Sequence, residues 1–342
     1  MLKKMRYLTL TTIVTALFFT QACGNSNKLQ GVDQSKAPNS PIRSLGFDKD
    51  DARISLLQQN GIKYIPMQEF INTLGFQSLL DVETKTLSIG EIDVEYKLTL
   101  NSTEAEKEES LVKLTSPPIE VQGNMYAPVA DVMSMFSEDM HSKLEDNTLI
   151  LHGTNLELGM EGLNDDESVI SQDETSFFQD DPNDPFKDAV STLGSNISGS
   201  HDVLPVAAMK NININALISE ARKYMGVRYV FGAGPYPRTK VFDCSSYTQY
   251  VFGKYGIGLN RTARAQARQG TTISRKSLRK GDLLFFYVPG RFKSNRTVGH
   301  VGIYIGNGQM INTFSDKQGV HITTVNKGYW SKKFIVAKRV AY

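Results

Sequence analysis

The chain has 342 residues, which is enough for two ordinary domains together with their linkers. Hydrophobic residues make up 40% of it and charged residues 22%, a composition that excludes a wholly disordered protein and fits a soluble globular one. The formal net charge of +2 looks neutral, but it conceals a large asymmetry between segments of the chain.

Residues 1–23 have the pattern of an export signal. Three basic residues precede an apolar run, Tyr7–Phe19, whose 13 residues are too few to span a bilayer comfortably. Ala22, Cys23 and the glycine that follows resemble a bacterial lipobox, in which the cysteine is lipidated and becomes the mature N-terminus. Thr20 departs from that pattern, because such sites usually carry Leu there, and ordinary signal cleavage after Ala22 is the alternative. We therefore expect export, either with Cys23 as a lipid anchor on the outer face of the cell membrane or as a secreted protein.

The two cysteines of the chain, Cys23 and Cys244, lie 221 positions apart. Two cysteines in an exported protein would ordinarily suggest a disulfide. If Cys23 is acylated, however, Cys244 is a free thiol in an oxidising compartment. A thiol there is unusual unless it has a chemical role.

The next two segments differ sharply in composition. Residues 24–50 are rich in Asn, Ser, Gln, Lys and Gly and predict a flexible tether. Residues 51–153 predict a compact domain with an internal repeat, since Gly61–Met67 matches Gly123–Val129 at an offset of 62.

Each unit of the repeat predicts a strand, a helix that starts at a proline, and a second strand. Pro66 and Pro128 can occupy the first helical turn, because the N–H that proline lacks would be unpaired there anyway. The pattern resembles the small α+β domain known as the copper amine oxidase N-terminal-like domain. His141 and His152 lack the spacing of metal ligands, so we interpret them as surface residues and the domain as a spacer or wall-binding module.

Charge changes abruptly in the second half of the chain. Residues 154–209 predict an unfolded linker, because up to residue 205 they hold 12 acidic residues and one basic residue. Residues 210–342 hold 23 Lys and Arg against four acidic residues, a net charge of +19. A basic domain of this size attracts polyanions, and an exported one meets anionic wall polymers rather than nucleic acid. Alternatively, its cations pair with the acidic linker.

Two predicted helices surround Cys244. Ile214–Met225 has the apolar spacing of an amphipathic helix that ends at Gly226, and a second helix opens at Phe242–Ser246. Cys244 then lies in a first turn, where the helix dipole and unpaired N–H groups stabilise a thiolate near neutral pH. A buried structural cysteine is the alternative interpretation.

Residues 281–287 predict a strand, and a β-hairpin follows with residues 306–308 as its loop. With that loop, Gly302 faces Asn312, and His300 becomes the diagonal neighbour of Asn312 on the same face. A neutral imidazole held in this way can accept a thiol proton and return it to a leaving amine. A lone histidine in a strand is more often structural.

Five motifs occur in a fixed order through this part of the chain. They are Tyr-Val-Phe-Gly at 229–232, Asp-Cys-Ser-Ser at 243–246, Leu-Asn-Arg-Thr-Ala-Arg-Ala-Gln at 259–266, Leu-Arg-Lys-Gly-Asp-Leu-Leu-Phe-Phe at 278–286 and Gly-His-Val-Gly-Ile-Tyr-Ile-Gly at 299–306. The series resembles the NlpC-type family of papain-like cell-wall endopeptidases, and the resemblance covers about 216–342.

The resemblance implies a catalytic set. Cys244 matches the nucleophile, and His300 matches the general base. Asn312 matches the third polar residue, which orients the imidazole; many relatives have His there, so this variant is reminiscent of papain's own arrangement. His321 matches no motif position, and we expect it to be exposed.

The resemblance also implies substrate-binding residues. Tyr229 matches a tyrosine that helps to hold the thiol and to polarise the scissile carbonyl. Asp243 matches a position that in some relatives contacts the free amine of the first L-alanine of the stem peptide; a helix N-cap is the alternative role. Ser245 shapes the same subsite. Arg261 and Gln266 flank the groove in structural roles.

We therefore expect an α+β protein, in which a small repeated N-terminal domain precedes a papain-like domain with helices packed on an antiparallel sheet. The resemblance implies a cysteine peptidase that hydrolyses peptidoglycan stem peptides through an acyl-enzyme, at the γ-D-glutamyl bond to the diamino acid. It implies no metal or organic cofactor. One alternative is an acyltransferase on the same fold. The other is a non-catalytic wall-binding scaffold, and the intact Cys244, His300 and Asn312 argue against this second alternative.

Overall fold

The computed structural model describes residues 51–154, 178–182 and 211–342. The predicted export signal with its lipidation site Cys23, the tether at 24–50 and most of the acidic linker lie outside the described residues. Within the part that is described, every helix is too short or too polar to cross a membrane.

Residues 51–154, the N-terminal domain, fold into short strands and two helices. In chain order the elements are β1 Ala52–Ser55, β2 Leu57–Gln59, β3 Ile62–Pro66, α1 Met67–Leu74, β4 Gln77–Asp81, β5 Thr86–Gly90, β6 Tyr96–Thr99, β7 Glu104–Lys107, β8 Ser110–Lys113, β9 Ile119–Val121, β10 Asn124–Pro128, α2 Val129–Met135, β11 His141–Glu145 and β12 Thr148–His152. Three antiparallel sheets result, ordered β1–β12–β11, β2–β3–β10–β9 and β4–β5–β6–β7–β8. Phe136 lies in the shared core, where it stacks on Tyr96 and meets the edge of Phe70.

Both helices of this domain begin directly after a proline. Pro66 and Pro128 are the N-cap residues, with φ of −67° and −58°, and so stand one position before the predicted first turn. Gly75 ends α1 with a left-handed φ of 71°, which glycine adopts without strain. The order β3–α1 recurs as β10–α2, but the strands β6–β8 stand between the two units and were not predicted.

Residues 211–342, the C-terminal domain, place four helices around one sheet. The elements are α3 Ile214–Arg222, α4 Tyr236–Thr239, α5 Cys244–Gly253, α6 Ala263–Gln266, β13 Thr271–Ile273, β14 Leu283–Phe286, β15 His300–Gly306, β16 Gln309–Thr313, β17 Val320–Thr324 and β18 Phe334–Arg339. The sheet is antiparallel and ordered β13–β18–β14–β15–β16–β17. Strands β15 and β16 of this sheet pack against α5, so helices lie on an antiparallel sheet as predicted.

Two local predictions are wrong in detail. α3 ends at Arg222, and Met225 lies beyond it with 45% of its surface exposed, so this side chain is not part of the apolar face of the helix. The hairpin turns over two residues, Asn307 and Gly308, because a register shift after Tyr304 absorbs the third predicted loop residue.

Five residues of the acidic segment, Phe178–Pro182, pack on the C-terminal sheet, so the prediction of a linker unfolded throughout is wrong. The phenyl ring of this docked segment is buried. Asp180 accepts a hydrogen bond from the hydroxyl of Tyr304 at 2.7 Å, and Asp181 forms an ion pair with Arg279 at 2.7 Å. An acidic composition disfavours independent folding, but it does not prevent docking onto a basic domain.

Candidate active site

Cys244 is the first residue of α5 and is fully buried. The carboxylate of Asp243 accepts a hydrogen bond from the backbone N–H of Ser246 at 2.8 Å, and the Ser246 hydroxyl accepts one from the N–H of Asp243 at 2.9 Å. This reciprocal capping box fixes where the helix begins, and therefore where the thiol lies. Asp243 thus has the N-cap role that the sequence left open.

The surroundings of the thiol favour its neutral form. Burial raises the pKa of the Cys244 thiol well above its ordinary value, and the carboxylates of Asp93 and Asp243 raise it further. The backbone N–H of Val301 and the guanidinium of Arg261 act in the opposite direction. The predicted thiolate near neutral pH is therefore wrong for this arrangement, because lost hydration and two carboxylates outweigh the helix N-terminus.

His300 is the first residue of β15 and is fully buried. Its Nε2 lies 3.0 Å from Oδ1 of Asn312 on β16, the side-chain contact that the predicted register implied. Because a carbonyl oxygen can only accept, the imidazole carries its proton on Nε2 and presents Nδ1 as an acceptor. No atom of the described residues forms a hydrogen bond with Nδ1.

Aromatic side chains enclose the His300 ring. It stacks on Trp330 with ring centroids 4.6 Å apart, and the edge of Phe314 lies at 5.1 Å. This burial lowers the pKa of His300 to about 3, against the raising effect of the Asn312 hydrogen bond. The imidazole is therefore neutral, and the same burial makes it a weaker base than a solvated histidine in this closed arrangement. The sequence analysis did not predict a role for Trp330. The one indication in the sequence was that Trp330 is the only tryptophan of the chain.

Asn312 is held on both sides of its amide. Its Nδ2 donates to the backbone carbonyl of His321 at 3.5 Å, on the neighbouring strand β17. A Cβ at Gly302 would lie 3.1 Å from the Cβ of Asn312 and 2.6 Å from the sulfur of Met310, so glycine leaves the room that Asn312 needs. His321 is half-buried rather than exposed, because its strand pairs with that of Asn312.

The Tyr229 hydroxyl is engaged by the N-terminal domain, which belongs with the C-terminal domain to one compact unit, Lys49–Tyr342. It donates to the backbone carbonyl of Ile92 at 2.8 Å and accepts from the side-chain amide of Gln77 at 3.1 Å. The hydroxyl that the resemblance assigns to a substrate carbonyl is thus directed at a carbonyl of the chain itself. Local sequence patterns gave no indication of this contact.

Arg261 holds the two predicted residues of the amine subsite together. Its Nη1 donates to Oδ1 of Asp243 at 3.0 Å and to the hydroxyl of Ser245 at 2.9 Å, and its Nη2 pairs with Oδ2 of Asp243. Gln266 donates to the backbone carbonyl of Ser245 at 3.0 Å. Arg261 and Gln266 therefore make the structural contacts that were predicted for them.

Across residues 51–154, 178–182 and 211–342, no group of three or more His, Cys, Asp or Glu side chains is arranged to hold a metal ion. The exposed His141 and the half-exposed His152 lie opposite each other on β11 and β12, and His152 pairs with a carboxylate at 3.1 Å.

Two family models match the chain: the NlpC/P60 family over residues 226–339 and the copper amine oxidase N-terminal domain over residues 50–151. The probable endopeptidase p60 of Listeria innocua serovar 6a is 44% identical over 126 residues, which are 36% of this chain and 24% of that protein. The bifunctional muramidase/DL-endopeptidase CwlT of Bacillus subtilis (strain 168) is 40% identical over 124 residues, which are 36% of each protein.

The murein DD-endopeptidase MepS/murein LD-carboxypeptidase of Escherichia coli (strain K12) is 33% identical over 154 residues, which are 44% of this chain and 76% of that protein. The chain thus spans only 24% of the Listeria protein's length, but most of the length of the Escherichia coli enzyme. Because such a relative is covered over 76% of its length and both family models match in the predicted order, the chain belongs to the NlpC/P60 family and carries a copper amine oxidase N-terminal-like domain ahead of its family domain.

Proposed function

We propose that the chain is a peptidoglycan endopeptidase whose nucleophile is Cys244. The observation that carries the proposal is His300, a buried neutral imidazole whose Nε2 is fixed by Asn312 and whose Nδ1 has no partner in the described part of the chain. The Cys244 sulfur receives the backbone N–H of Val301, the residue next to His300. A base of this kind is needed only if the cysteine acts as a nucleophile.

In the proposed reaction, Nδ1 of His300 takes the thiol proton while the sulfur of Cys244 attacks the carbonyl carbon of the scissile amide. The tetrahedral intermediate collapses when the imidazolium gives that proton to the leaving amine and the C–N bond breaks. A thioester remains on Cys244. Water then loses a proton to His300 and attacks the thioester, and the thiol regains its proton as the carboxylic acid product departs.

Three further side chains have proposed roles toward the substrate. The Tyr229 hydroxyl donates to the scissile carbonyl, as it donates to a backbone carbonyl here. Asp243 and Ser245 bind the free amine at the start of the stem peptide. Arg261 forms an ion pair with Asp243, so the positive and negative charges of these two side chains balance before the amine binds.

The bond that we propose is the γ-D-glutamyl bond to the diamino acid in the third position. The Bacillus subtilis relative is named as a DL-endopeptidase, whereas the Escherichia coli relative is named as a DD-endopeptidase and an LD-carboxypeptidase. The higher identity, 40% against 33%, favours the first specificity for this chain.

We also propose that the protein is exported, that Cys23 is its lipid anchor, and that it acts on the wall outside the membrane. A lipobox-like sequence after a short apolar run supports the anchor. Mass spectrometry of the mature N-terminus tests it, because an acylated Cys23 should begin the chain. A mature chain that begins with any unmodified residue would contradict the anchor.

Mass spectrometry of stem tripeptides tests the proposed reaction. The tripeptides are incubated with the full-length chain and with Ile92→Asn, which loosens the contact of Tyr229 with the N-terminal domain. We expect L-Ala-D-Glu and a free diamino acid, and no product from Cys244→Ala in either background. An added amine acceptor distinguishes hydrolysis from acyl transfer, because a transferase would join the dipeptide to the acceptor. Equal cleavage by Cys244→Ala would contradict the assigned nucleophile.

A further inference from the structure

The catalytic pair is closed to solvent in this structure. Cys244 and His300 are both 0% exposed. A stem peptide must bring its scissile carbonyl carbon into contact with the Cys244 sulfur before any bond can form. In the arrangement described, no substrate can do so until a covering element moves.

A β-hairpin of the N-terminal domain reaches this site with its tip, residues 91–95, which joins β5 to β6 and is called here the hairpin tip. A Cβ at Gly90 would lie 1.9 Å from the backbone oxygen of Asp93, so glycine lets the tip fold back on itself. The side chain of Ile92 is not part of the N-terminal core. It belongs to the apolar cluster of the C-terminal domain, together with Cys244 and Tyr229.

The hairpin tip makes two polar contacts with the C-terminal domain, one of them with the hydroxyl proposed to bind substrate. The carbonyl of Ile92 accepts from the Tyr229 hydroxyl at 2.8 Å, and the carboxylate of Asp93 accepts from the backbone N–H of Ala263 at 2.6 Å. The hydroxyl proposed to polarise a scissile carbonyl is therefore occupied by a peptide carbonyl of the chain.

The tip also reaches the side of the cleft on which the histidine lies. A Cβ at Gly299, the residue before His300, would lie 1.8 Å from Oε2 of Glu91. On the other side, a Cβ at Gly232 would lie 3.0 Å from a methyl group of Val94. Glycines of the first and last family motifs thus allow the tip to fill the space between them.

We propose that the hairpin tip is an autoinhibitory plug, which lies in the substrate cleft as a substrate-like segment and keeps the enzyme latent until the hairpin withdraws. This inference rests on the proposed function, since a cleft that binds no peptide has nothing to inhibit.

A buried network holds the plug in place. Arg264 of α6 enters the N-terminal domain, where it donates to Asp139 at 2.5 Å and to the hydroxyl of Tyr96 at 2.9 Å. Tyr96 directly follows the tip, so Arg264 fixes the base of the hairpin. Because these partners lie within one protein, the plug needs no second chain.

The same tip contains features that favour release. Oε2 of Glu91 and Oδ1 of Asp93 are buried without hydrogen-bond partners among the residues described. A buried acceptor without a donor costs free energy that water would restore on exposure. The plug is therefore held by its base, by Ile92 and by the bond of Asp93 to Ala263, while one oxygen each of Glu91 and Asp93 would gain a donor on exposure.

The reactivity of the thiol tests the plug independently of catalysis. The full-length chain and its Ile92→Asn variant are treated with the neutral reagent iodoacetamide, and alkylation of the peptide that contains Cys244 is followed by mass spectrometry. Ile92→Asn adds no charge near the sulfur and leaves the N-terminal core untouched. Leu111→Asn is the matched control, because Leu111 is 77% exposed on β8.

We expect alkylation of Cys244 to be faster by about tenfold or more in Ile92→Asn, since burial of one aliphatic side chain shifts an equilibrium by about that factor. The control should react like the wild type. Asp93→Ala should also accelerate alkylation, both because it loses the bond to Ala263 and because it removes a carboxylate that raises the pKa of the thiol, so faster alkylation supports the plug only when Ile92→Asn shows it too. Circular dichroism establishes that each variant is folded.

Faster alkylation together with faster cleavage of stem peptides supports both proposals. Faster alkylation without any cleavage would show that the tip shields the thiol but would contradict the proposed function, and with it the inhibitory role of the tip. Alkylation at the wild-type rate in folded Ile92→Asn and Asp93→Ala would overturn the plug. So would a loss of cleavage at an unchanged alkylation rate, because the tip would then be part of the substrate site.

Discussion

At the scale of single residues, the proposed reaction gives three side chains separate tasks. In it Cys244 would form the covalent bond and His300 would move the proton, while Asn312 holds the ring in the orientation that directs Nδ1 away from the amide. Trp330 adds a stacked face that excludes water from the ring. These tasks fail to different extents when each side chain is removed.

Replacement of His300 should cost more than replacement of Asn312. His300→Ala removes the base, a contribution of typically ~10²–10⁴-fold in rate. Asn312→Ala removes only a hydrogen bond to a ring that Trp330 and Phe314 still hold, so kcat should fall less and KM should change little. Asn312→His should retain most activity. Steady-state kinetics on a stem peptide, in the Ile92→Asn background, measures the difference.

Stability must be compared alongside rate, because deleting a buried polar partner can itself cost ~1–3 kcal/mol. Equal and complete inactivation of well-folded His300→Ala and Asn312→Ala would show that Asn312 does more than orient the ring. Full activity of Asn312→Ala would remove it from the site.

Asp93 should make the stability of the chain depend on pH. Burial raises its pKa to about 6, the charge of Asp243 adds to this, and Ser245, Arg261 and the N–H of Ala263 act against it. A carboxyl group whose folded pKa lies above its unfolded pKa stabilises the fold less as pH rises between the two values, here from about 4 to 6. Asp93→Asn should lose that dependence, which amounts to about 3 kcal/mol.

Urea unfolding of the wild type and of Asp93→Asn at pH 4 and at pH 7 measures the effect of this carboxyl group. As the pH rises from 4 to 7, the wild type should lose more of its free energy of unfolding than the variant does. Identical losses would show that Asp93 is not the group that titrates.

At the scale of elements, contacts between segments far apart in the chain determine how the active-site domain is covered and supported. The hairpin tip and the docked segment Phe178–Pro182 both lie outside the C-terminal domain in sequence, yet both contact it. The first covers the cleft. The second contacts the β15–β16 hairpin, because Asp180 accepts from the Tyr304 hydroxyl at 2.7 Å and from the N–H of Asn307 at 3.1 Å.

Removal of that carboxylate should destabilise the chain. Asp180→Ala leaves the Tyr304 hydroxyl and the Asn307 N–H without their acceptor and should lower the free energy of unfolding by roughly 1–3 kcal/mol. Gln179→Ala is the matched control, because that side chain is exposed beside it. Urea denaturation measures the free energy of unfolding of both variants. If Asp180→Ala is as stable as Gln179→Ala, the docked segment contributes nothing to the stability of the chain.

The sequence predicted the inner part of the site and not what covers it. Cys244 at a helix start and the His300–Asn312 contact follow from capping, strand alternation and register, which act over a few residues. The contact of Ile92 with Tyr229 joins positions 137 apart and leaves no local pattern. The stack of Trp330 on His300 depends on how a loop folds back, which spacing does not encode.

At the scale of the whole molecule, opposite charges are segregated along the chain and paired in space. Basic residues of the C-terminal domain meet acidic residues from the rest of the chain. The pairs are Arg264 with Asp139, Arg268 with Glu108, Lys293 with Glu91 and Arg279 with Asp181. The alternative in which the cations pair with the acidic linker is realised by Arg279 and Asp181 alone among these four pairs, and the other three acidic partners belong to the N-terminal domain.

Binding to purified wall should weaken steeply with salt. The Debye length falls from about 30 Å to about 8 Å between 0.01 M and physiological ionic strength, which screens exposed charges. Sedimentation of Cys244→Ala with wall measures binding without digestion, and wall stripped of its anionic polymers is the control. Sedimentation that does not change with salt would indicate a specific pocket instead of the +19 charge of residues 210–342.

A thioester at Cys244 is the intermediate on which the proposed reaction depends, and intact-protein mass spectrometry detects it most directly. Full-length Ile92→Asn is mixed with excess stem tripeptide and quenched in acid, which preserves thioesters. We expect a transient mass increase equal to L-Ala-D-Glu less one water, located on the peptide that contains Cys244 and absent from Cys244→Ala. Cleavage of the tripeptide by Cys244→Ala at the same rate, with no adduct on either protein, would contradict the mechanism.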